Sequence, residues 1–176
     1  SASADSIAHA INVPSHNEMA DLMMHRLGTA NGGASTYASG FTTTQGVLDD
    51  LGVAHAGLAL FDGSGLSHNN RTTPRHIVDL FRAMSQRDTW EAFEASLAVS
   101  GIRGTISGRM TGQNTLGRFF GKTGTLTGVI TLSGVLHHRH DGQRYVVSLL
   151  ANDVASSSAA RAALDAAVGA IAANRR

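Results

Sequence analysis

Apolar positions along this chain recur with two periods. Helical spacing dominates the first hundred residues, and short β-rich runs followed by one more helical stripe close the chain. Pro14-Ser15-His16-Asn17-Glu18 introduces a helix whose inner face is read as Ala20, Met23 and Leu27, with Gly28 just past its end. Ser15 and Glu18 stand in capping-box spacing, so satisfying free helix N–H groups is one complete account of Ser15. A Gly/Ser/Thr-rich connector from Gly32 to Thr44 leads to a short helix carrying Val47, Leu48 and Leu51, closed by Gly52. Leu58-Ala59-Leu60-Phe61 reads as a buried run that enters a turn-forming loop, Asp62-Gly63-Ser64-Gly65-Leu66-Ser67.

Thr73-Pro74 pairs an N-cap hydroxyl with proline at the first helical position, and Ile77, Leu80, Phe81 and Met84 then fall on one face. Asp88 and Glu91 predict a second capping box ahead of Trp90, Phe93 and Leu97. From Ser100 to Gly117 the composition predicts an extended loop. Three strands follow: the run around Gly121-Lys122-Thr123-Gly124-Thr125, the run from Val129 to Leu136, and Tyr145 to Leu150, the last two joined by a hairpin tipped with Asp141-Gly142. Leu164, Ala167, Val168 and Ile171 stripe a final helix. These elements make an α/β chain in an α+β arrangement, with three antiparallel strands and packing helices.

Composition narrows the function classes. The 176 residues suit one domain, and 42% hydrophobic with 15% charged residues argues against disorder. A net charge of +1 gives no reason to expect a nucleic-acid partner, and the absence of cysteine excludes disulfides and thiolate metal sites. No apolar run reaches membrane-spanning length. The chain starts without methionine or a signal-peptide pattern, so a processed or truncated polypeptide is expected.

Lys122 changes the picture, because it is the single lysine among 14 basic residues. On a strand it places one ammonium beside the hydroxyls of Thr123 and Thr125, which alternate in direction with a side-chain-free Gly124 where a ligand could approach. Such an array suits an acyl substrate bearing a carboxylate; a chance tripeptide in a Gly- and Thr-rich strand is the plain alternative.

Lys122-Thr123-Gly124 taken with Ser15-His16-Asn17 resembles the Lys-Thr-Gly strand and Ser-x-Asn loop of serine penicillin-recognising enzymes. With the Asp62 loop, Asn70-Arg71-Thr72-Thr73-Pro74, Gly104-Thr105 and Leu126-Thr127-Gly128-Val129 in order, the chain is similar to class C low-molecular-mass penicillin-binding proteins, the D-Ala-D-Ala carboxypeptidase/endopeptidase family. The likeness runs from Ser15 to about Asn152. It implies a serine-type peptidase acting on peptidoglycan stem peptides by acyl-enzyme formation, acylated by β-lactams, exported from the cytoplasm, and needing neither cofactor nor metal.

That family's nucleophile is the serine of Ser-x-x-Lys, and the residue three before the only lysine here is Phe119. The resemblance therefore implies that these residues are the C-terminal half of the penicillin-binding domain. The nucleophile, its lysine and the strands completing the sheet are expected on an N-terminal part, in the same polypeptide or as a separate chain after cleavage. By position, Ser15 is expected to relay a proton to the leaving amine and Asn17 to orient the substrate amide. Lys122 is expected to supply positive charge, Thr123 and Thr125 to bind the terminal carboxylate, and the Thr125 N–H to donate to the oxyanion beside Gly124. Ser64 either contacts substrate or supports the Ser15 loop. His68, where relatives carry arginine, and Leu126 are expected in the stem-peptide pocket. Phe119 and Phe120 have no evident reason beyond packing.

Rival readings remain. His137, His138, His140 and Asp141 could form a metal cluster, although alternating strand positions oppose convergence. Arg103, Arg109 and Arg118 are read as surface contacts. A class A β-lactamase needs Glu-x-x-x-Asn after Ser-x-Asn, and four residues beyond Glu91 and Glu94 stand Ala95 and Ala98. From a different class, a non-catalytic module recognising D-Ala-D-Ala termini fits the same motifs.

Overall fold

The computed structural model describes residues 2–30 and 32–175. Its elements run α1 (Ala4–Asn12), α2 (Asn17–Ala30), α3 (Tyr37–Asp50), α4 (Pro74–Met84), α5 (Trp90–Ala95), β1 (Ala98–Val99), β2 (Phe119–Leu126), β3 (Val129–His137), β4 (Arg144–Ala151) and α6 (Ser157–Ala173). They fall into two units, one comprising the chain up to Ser15 and from Asp88 onward, the other His16–Arg87.

In the first unit the three expected strands are antiparallel neighbours, and a fourth joins them in the order β1-β2-β3-β4. β1 is only two residues long, pairing Ala98 with Gly121 and Val99 with Phe120, which is too short for any periodicity to announce. Side chains alternate across the sheet, so Phe119, Leu132, Leu136 and Val147 share one face and pack under Val168 and Ala172 of α6. The expected α6 stripe holds in Val168, with Leu164 and Ile171 packed beside it. Phe119 is fully buried, and its reason is local. Its ring lies over the cross-strand pair Gly121 and Gly134, where added Cβ atoms would come 2.5 Å and 2.9 Å from ring carbons. The two glycines form a slot that the ring fills.

The opposite face carries Phe120, Lys122, Ser133 and His137. At its far end His137 Nε2 lies 2.8 Å from Glu94, the Phe120 and His137 rings sit 4.9 Å apart, and Arg144 stands 5.7 Å over Trp90, so α5 covers that end. The Asn12 side chain donates to Ser96 Oγ at 2.9 Å and ties α1 to the same layer. α1 was not foreseen. It is capped by Ser3, and its apolar line, Ile7 and Ile11 one turn apart, is only half-buried.

The segment read as an extended loop is held at both ends. Ser100 Oγ donates to the Thr115 carbonyl at 2.5 Å and accepts the Phe119 N–H at 3.1 Å. A 3-10 turn, Gly104–Ile106, puts Ile106 fully into the core. Two arginines expected at the surface are clamps: Arg103 donates to the Ala95 and Leu97 carbonyls, and Arg109 forks onto Asp165 at 3.0 and 2.7 Å. α5 begins after Thr89 without a side-chain cap, so the Asp88–Glu91 box does not form.

In the second unit α2 and α3 pack through glycine. A Cβ on Gly40 would lie 2.3 Å from the Met24 carbonyl oxygen, and one on Gly28 would lie 2.6 Å from that of Ala34. Gly28 is thus a contact inside α2 rather than its terminator, and the buried line of α2 is Met24 and Gly28, shifted from Met23 and Leu27. α3 starts at Tyr37, capped by Thr36, inside the stretch read as connector, because side-chain-poor Ser, Gly and Thr are what the close approach admits. α4 is as expected, with Thr73 and His76 forming a capping box over Pro74. Leu58 to Leu60 are only half-buried and Phe61 is 53% exposed, with Ala59 bridging Arg71.

Candidate active site

The backbone of Phe119 sets the direction of everything that follows on β2. Its carbonyl accepts the Ser100 N–H at 3.0 Å and its N–H donates to Ser100 Oγ, so the Phe119 backbone faces the β1 side. Backbone direction alternates along a strand, and Thr123 and Thr125 therefore turn their N–H and C=O groups to that same side. β1 stops opposite Gly121, so among the described residues no strand covers the edge beyond it. An extended peptide could pair there, with the Thr125 N–H as a donor aimed outward.

Lys122 lies on this stretch, partly buried, and its Nζ donates to Ser15 Oγ at 2.5 Å and to the Thr123 carbonyl at 3.1 Å. Among the described residues no carboxylate lies within ion-pairing distance of it. Burial holds its pKa below the 10.5 of a free lysine, because the charged form gives up water without gaining a counter-charge. The site offers a cation whose partners are neutral oxygens, which is the electrostatic preparation for an incoming anion.

Ser15 reaches Lys122 from an unusual backbone. It follows Pro14 with φ of 60°, in the left-handed region that a serine occupies at a cost of about 1–3 kcal/mol when the surroundings enforce it. In that conformation Ser15 does not cap α2; the Met19 N–H goes instead to His16 Nδ1, at a long 3.4 Å. The capping-box reading of Ser15 is therefore corrected, and its hydroxyl belongs to Lys122.

Thr123 Oγ1 donates to Thr105 Oγ1 at 2.9 Å, while Thr125 is exposed and Leu126 is partly buried at the end of the strand. A Cβ on Gly124 would lie 2.5 Å from Thr131 Oγ1, so the room expected there for a ligand is taken on that face by a cross-strand threonine. What Gly124 permits is the close packing of β2 on β3 at Thr131.

Asn17, Ser64 and His68 lie in the second unit. Asn17 is the first residue of α2, exposed and one helical turn before Asp21. Asp21 Oδ1 accepts the N–H groups of both Gly63 and Ser64 at 2.9 Å, and Gly63 backs onto the Ala20 carbonyl, where a Cβ would lie at 2.3 Å. Asp62 binds the Gly65 and Ser67 N–H groups and the Asn70 side chain. The loop carrying Ser64 is thus fixed to the helix carrying Asn17 by the Asp21 carboxylate and braced internally by Asp62, leaving Leu66 50% exposed and His68 exposed. Arg71 folds back onto the His68 and Asn70 carbonyls, at 2.6 and 2.9 Å. Asp21 went unnoticed in the sequence; an acidic residue one turn after Asn17 was the available signal.

The hairpin histidines are otherwise engaged. His137 pairs with Glu94, and His138 Nδ1 lies 2.7 Å from Asp141, off the line of a good hydrogen bond. The Tyr145 hydroxyl, donating to Asp141, chiefly holds that carboxyl at about 2. Among the described residues no group of three or more His, Asp or Glu is placed to hold a metal ion, and no helix is long and apolar enough to cross a membrane.

A Lys-Thr-Gly strand with an open edge, its lysine bound to the serine of Ser-x-Asn, is the arrangement of the serine penicillin-recognising class. Comparison with known proteins makes the assignment specific: residues 1–174 match the D-Ala-D-Ala carboxypeptidase 3 (S13) family, and the chain belongs to it. It is 38% identical over 125 residues to a D-alanyl-D-alanine carboxypeptidase of Actinomadura sp. (strain R39), covering 68% of this chain and 23% of that one. It is 31% identical over 128 residues to penicillin-sensitive carboxypeptidase A of Dictyostelium discoideum, covering 69% and 24%. The chain thus spans about a quarter of the length of these relatives. Among solved structures, penicillin binding protein 4 from Haemophilus influenzae, complexed with a β-lactam, superposes with a TM-score of 0.81 at 21% identity, over 86% of this chain and 36% of that one. A penicillin G acylated predatory endopeptidase from Bdellovibrio bacteriovorus, in complex with an immunity protein, gives 0.68 at 18%, over 95% and 44%. At these identities the likeness establishes the fold alone, mixed helices with an antiparallel sheet as in part of those proteins.

Proposed function

We propose that this chain supplies the Ser-x-Asn and Lys-Thr-Gly share of a serine-type D-Ala-D-Ala carboxypeptidase/endopeptidase that cleaves peptidoglycan stem peptides outside the cytoplasmic membrane and is acylated by β-lactams. The observation that carries the reading is the 2.5 Å contact between Lys122 Nζ and Ser15 Oγ, made by two motifs far apart in sequence. The two units are read as parts of one penicillin-binding domain.

On this reading each step falls to a named residue. A stem peptide lies along the open edge of β2, its terminal carboxylate near the Lys122 charge and the Thr123 and Thr125 hydroxyls. A serine nucleophile, its proton passing to the lysine of its own Ser-x-x-Lys beyond this chain, attacks the carbonyl of the penultimate residue, and the oxyanion receives the Thr125 N–H. The departing D-Ala amine takes a proton through Ser15, whose oxygen already holds a Lys122 proton in a hydrogen bond. Water then hydrolyses the acyl-enzyme. Asn17 orients the substrate amide, and Ser64, Leu126 and His68 border the stem peptide.

The nucleophile is not among these 176 residues, since no Ser-x-x-Lys occurs in them. It is supplied by polypeptide beyond them. A fluorescent penicillin is therefore expected to label the full-length protein covalently and to leave the 176-residue chain unlabelled, read by denaturing gel and intact mass. Covalent label on the short chain overturns this reading. A full-length protein that binds D-Ala-D-Ala peptides without releasing D-Ala identifies a binding module instead.

A further inference from the structure

The 3-10 turn Gly104–Ile106 touches three parts of the first unit at once. Gly104, at φ of 71°, backs onto the segment leading to Ser15: a Cβ there would lie 2.5 Å from the Val13 carbonyl oxygen and 2.8 Å from the Ala98 side chain. Ile106 is fully buried in the core, and Arg109, one turn later, is fixed to Asp165 of α6. Thr105 stands between these anchors, exposed, and its hydroxyl makes one contact among the described residues, with Thr123 Oγ1 across 18 positions of sequence. The turn needs nothing from that hydroxyl to hold its place.

The direction of the bond matters. Thr123 donates its proton to Thr105, which leaves the Thr105 proton as the outward donor of the pair. Two hydroxyls in series polarise each other, so the outer one is a better donor to an anion than an isolated threonine. Beside them lie the edge of β2 that no strand covers and a lysine with no carboxylate in ion-pairing distance, both among the described residues.

We propose that Thr105 is a substrate-binding residue of this site, donating from its hydroxyl to the terminal carboxylate of the peptide and acting with Thr123 as one hydrogen-bonded unit. The proposal rests on the functional reading above and extends it to a turn that neither the Ser-x-Asn nor the Lys-Thr-Gly motif contains.

The test uses the full-length protein and two probes, a peptide ending in D-Ala-D-Ala with a free carboxylate and the same peptide as its C-terminal amide. Thr105→Val keeps the branched shape and removes the hydroxyl; Thr105→Ser keeps the hydroxyl. One hydrogen bond to a charged group predicts that Thr105→Val raises KM for the acid about tenfold, changes kcat little, and lowers the acid-to-amide ratio of kcat/KM about tenfold. Thr105→Ser is expected to restore most of that ratio. Thermal unfolding of each variant is followed alongside. Equal losses on acid and amide, an unchanged ratio, or a Thr105→Ser variant as impaired as Thr105→Val each overturn the proposal. If the unsubstituted protein neither takes up penicillin nor releases D-Ala, the functional reading falls with it, an outcome distinct from an active protein indifferent to Thr105.

Discussion

Lys122→Ala in the full-length protein lowers kcat/KM for D-Ala release by roughly 10²- to 10³-fold, the scale of losing one preorganised electrostatic contact to the transition state. Among the described residues it has no acidic ion-pair partner, its two contacts are to neutral oxygens, and β2 carries no other cation. The loss should appear with small and large peptides alike, and in the rate of penicillin acylation. Lys122→Arg separates charge from proton transfer. Burial lowers the Lys122 pKa, so wild-type activity that depends on the ammonium fades as pH rises through a value below 10.5. An arginine stays charged throughout that range, and the part of the alkaline limb due to Lys122 is expected to vanish in Lys122→Arg even where absolute activity is lower. Stability runs the other way. Between the lowered pKa and 10.5 the unfolded chain binds more protons than the folded one, so the Lys122 contribution favours the folded state increasingly as pH rises across that window. Below it, the full cost of holding the charge out of water is present. Rate profiles and melting temperatures from pH 7 to 10.5, with Lys122→Met as the uncharged reference, check both signs.

Phe119→Ala carries the largest expected loss of stability, about 3–5 kcal/mol. The ring is wholly buried and fills the slot over Gly121 and Gly134, where neighbouring backbone cannot collapse to recover the contacts. Filling the slot from below fails too: a Cβ on Gly134 would lie 2.2 Å from the Phe120 carbonyl oxygen. Phe119→Leu should cost markedly less. Urea denaturation of the full-length protein checks the order, and an alanine variant within about 1 kcal/mol of wild type contradicts this account of the slot. Activity should fall with stability, because Phe119 lies three residues before Lys122 and its backbone sets which way the Lys-Thr-Gly edge faces.

The strands around Lys122 were legible because their apolar alternation and the hairpin at Asp141-Gly142 are strong local signals. α4 was legible because Thr73, Pro74 and the apolar face agree. The errors share a cause: tertiary contact overrides local preference. Gly28 and Gly40 look like helix breakers until two helices need to touch, and Asp88 looks like a cap until Thr89 takes the position without capping. β1 has too few residues to carry a pattern. At the site, Ser15 and Lys122 were found together by motif order, and the structure supplied their contact. Asp21 escaped, and Thr105 was quoted within Gly104-Thr105 without a role, because what they touch lies 42 and 18 positions away, which residue type alone does not encode.

The left-handed backbone of Ser15 puts function and comfort in opposition at one position. Glycine or asparagine tolerates that conformation better, so any procedure that ranks residues by backbone preference would exchange Ser15 for one of them. Either exchange deletes the hydroxyl that Lys122 holds. On the proposed function a stabilising redesign of this protein would begin by dismantling its chemistry, and Ser15 is the residue to exempt first.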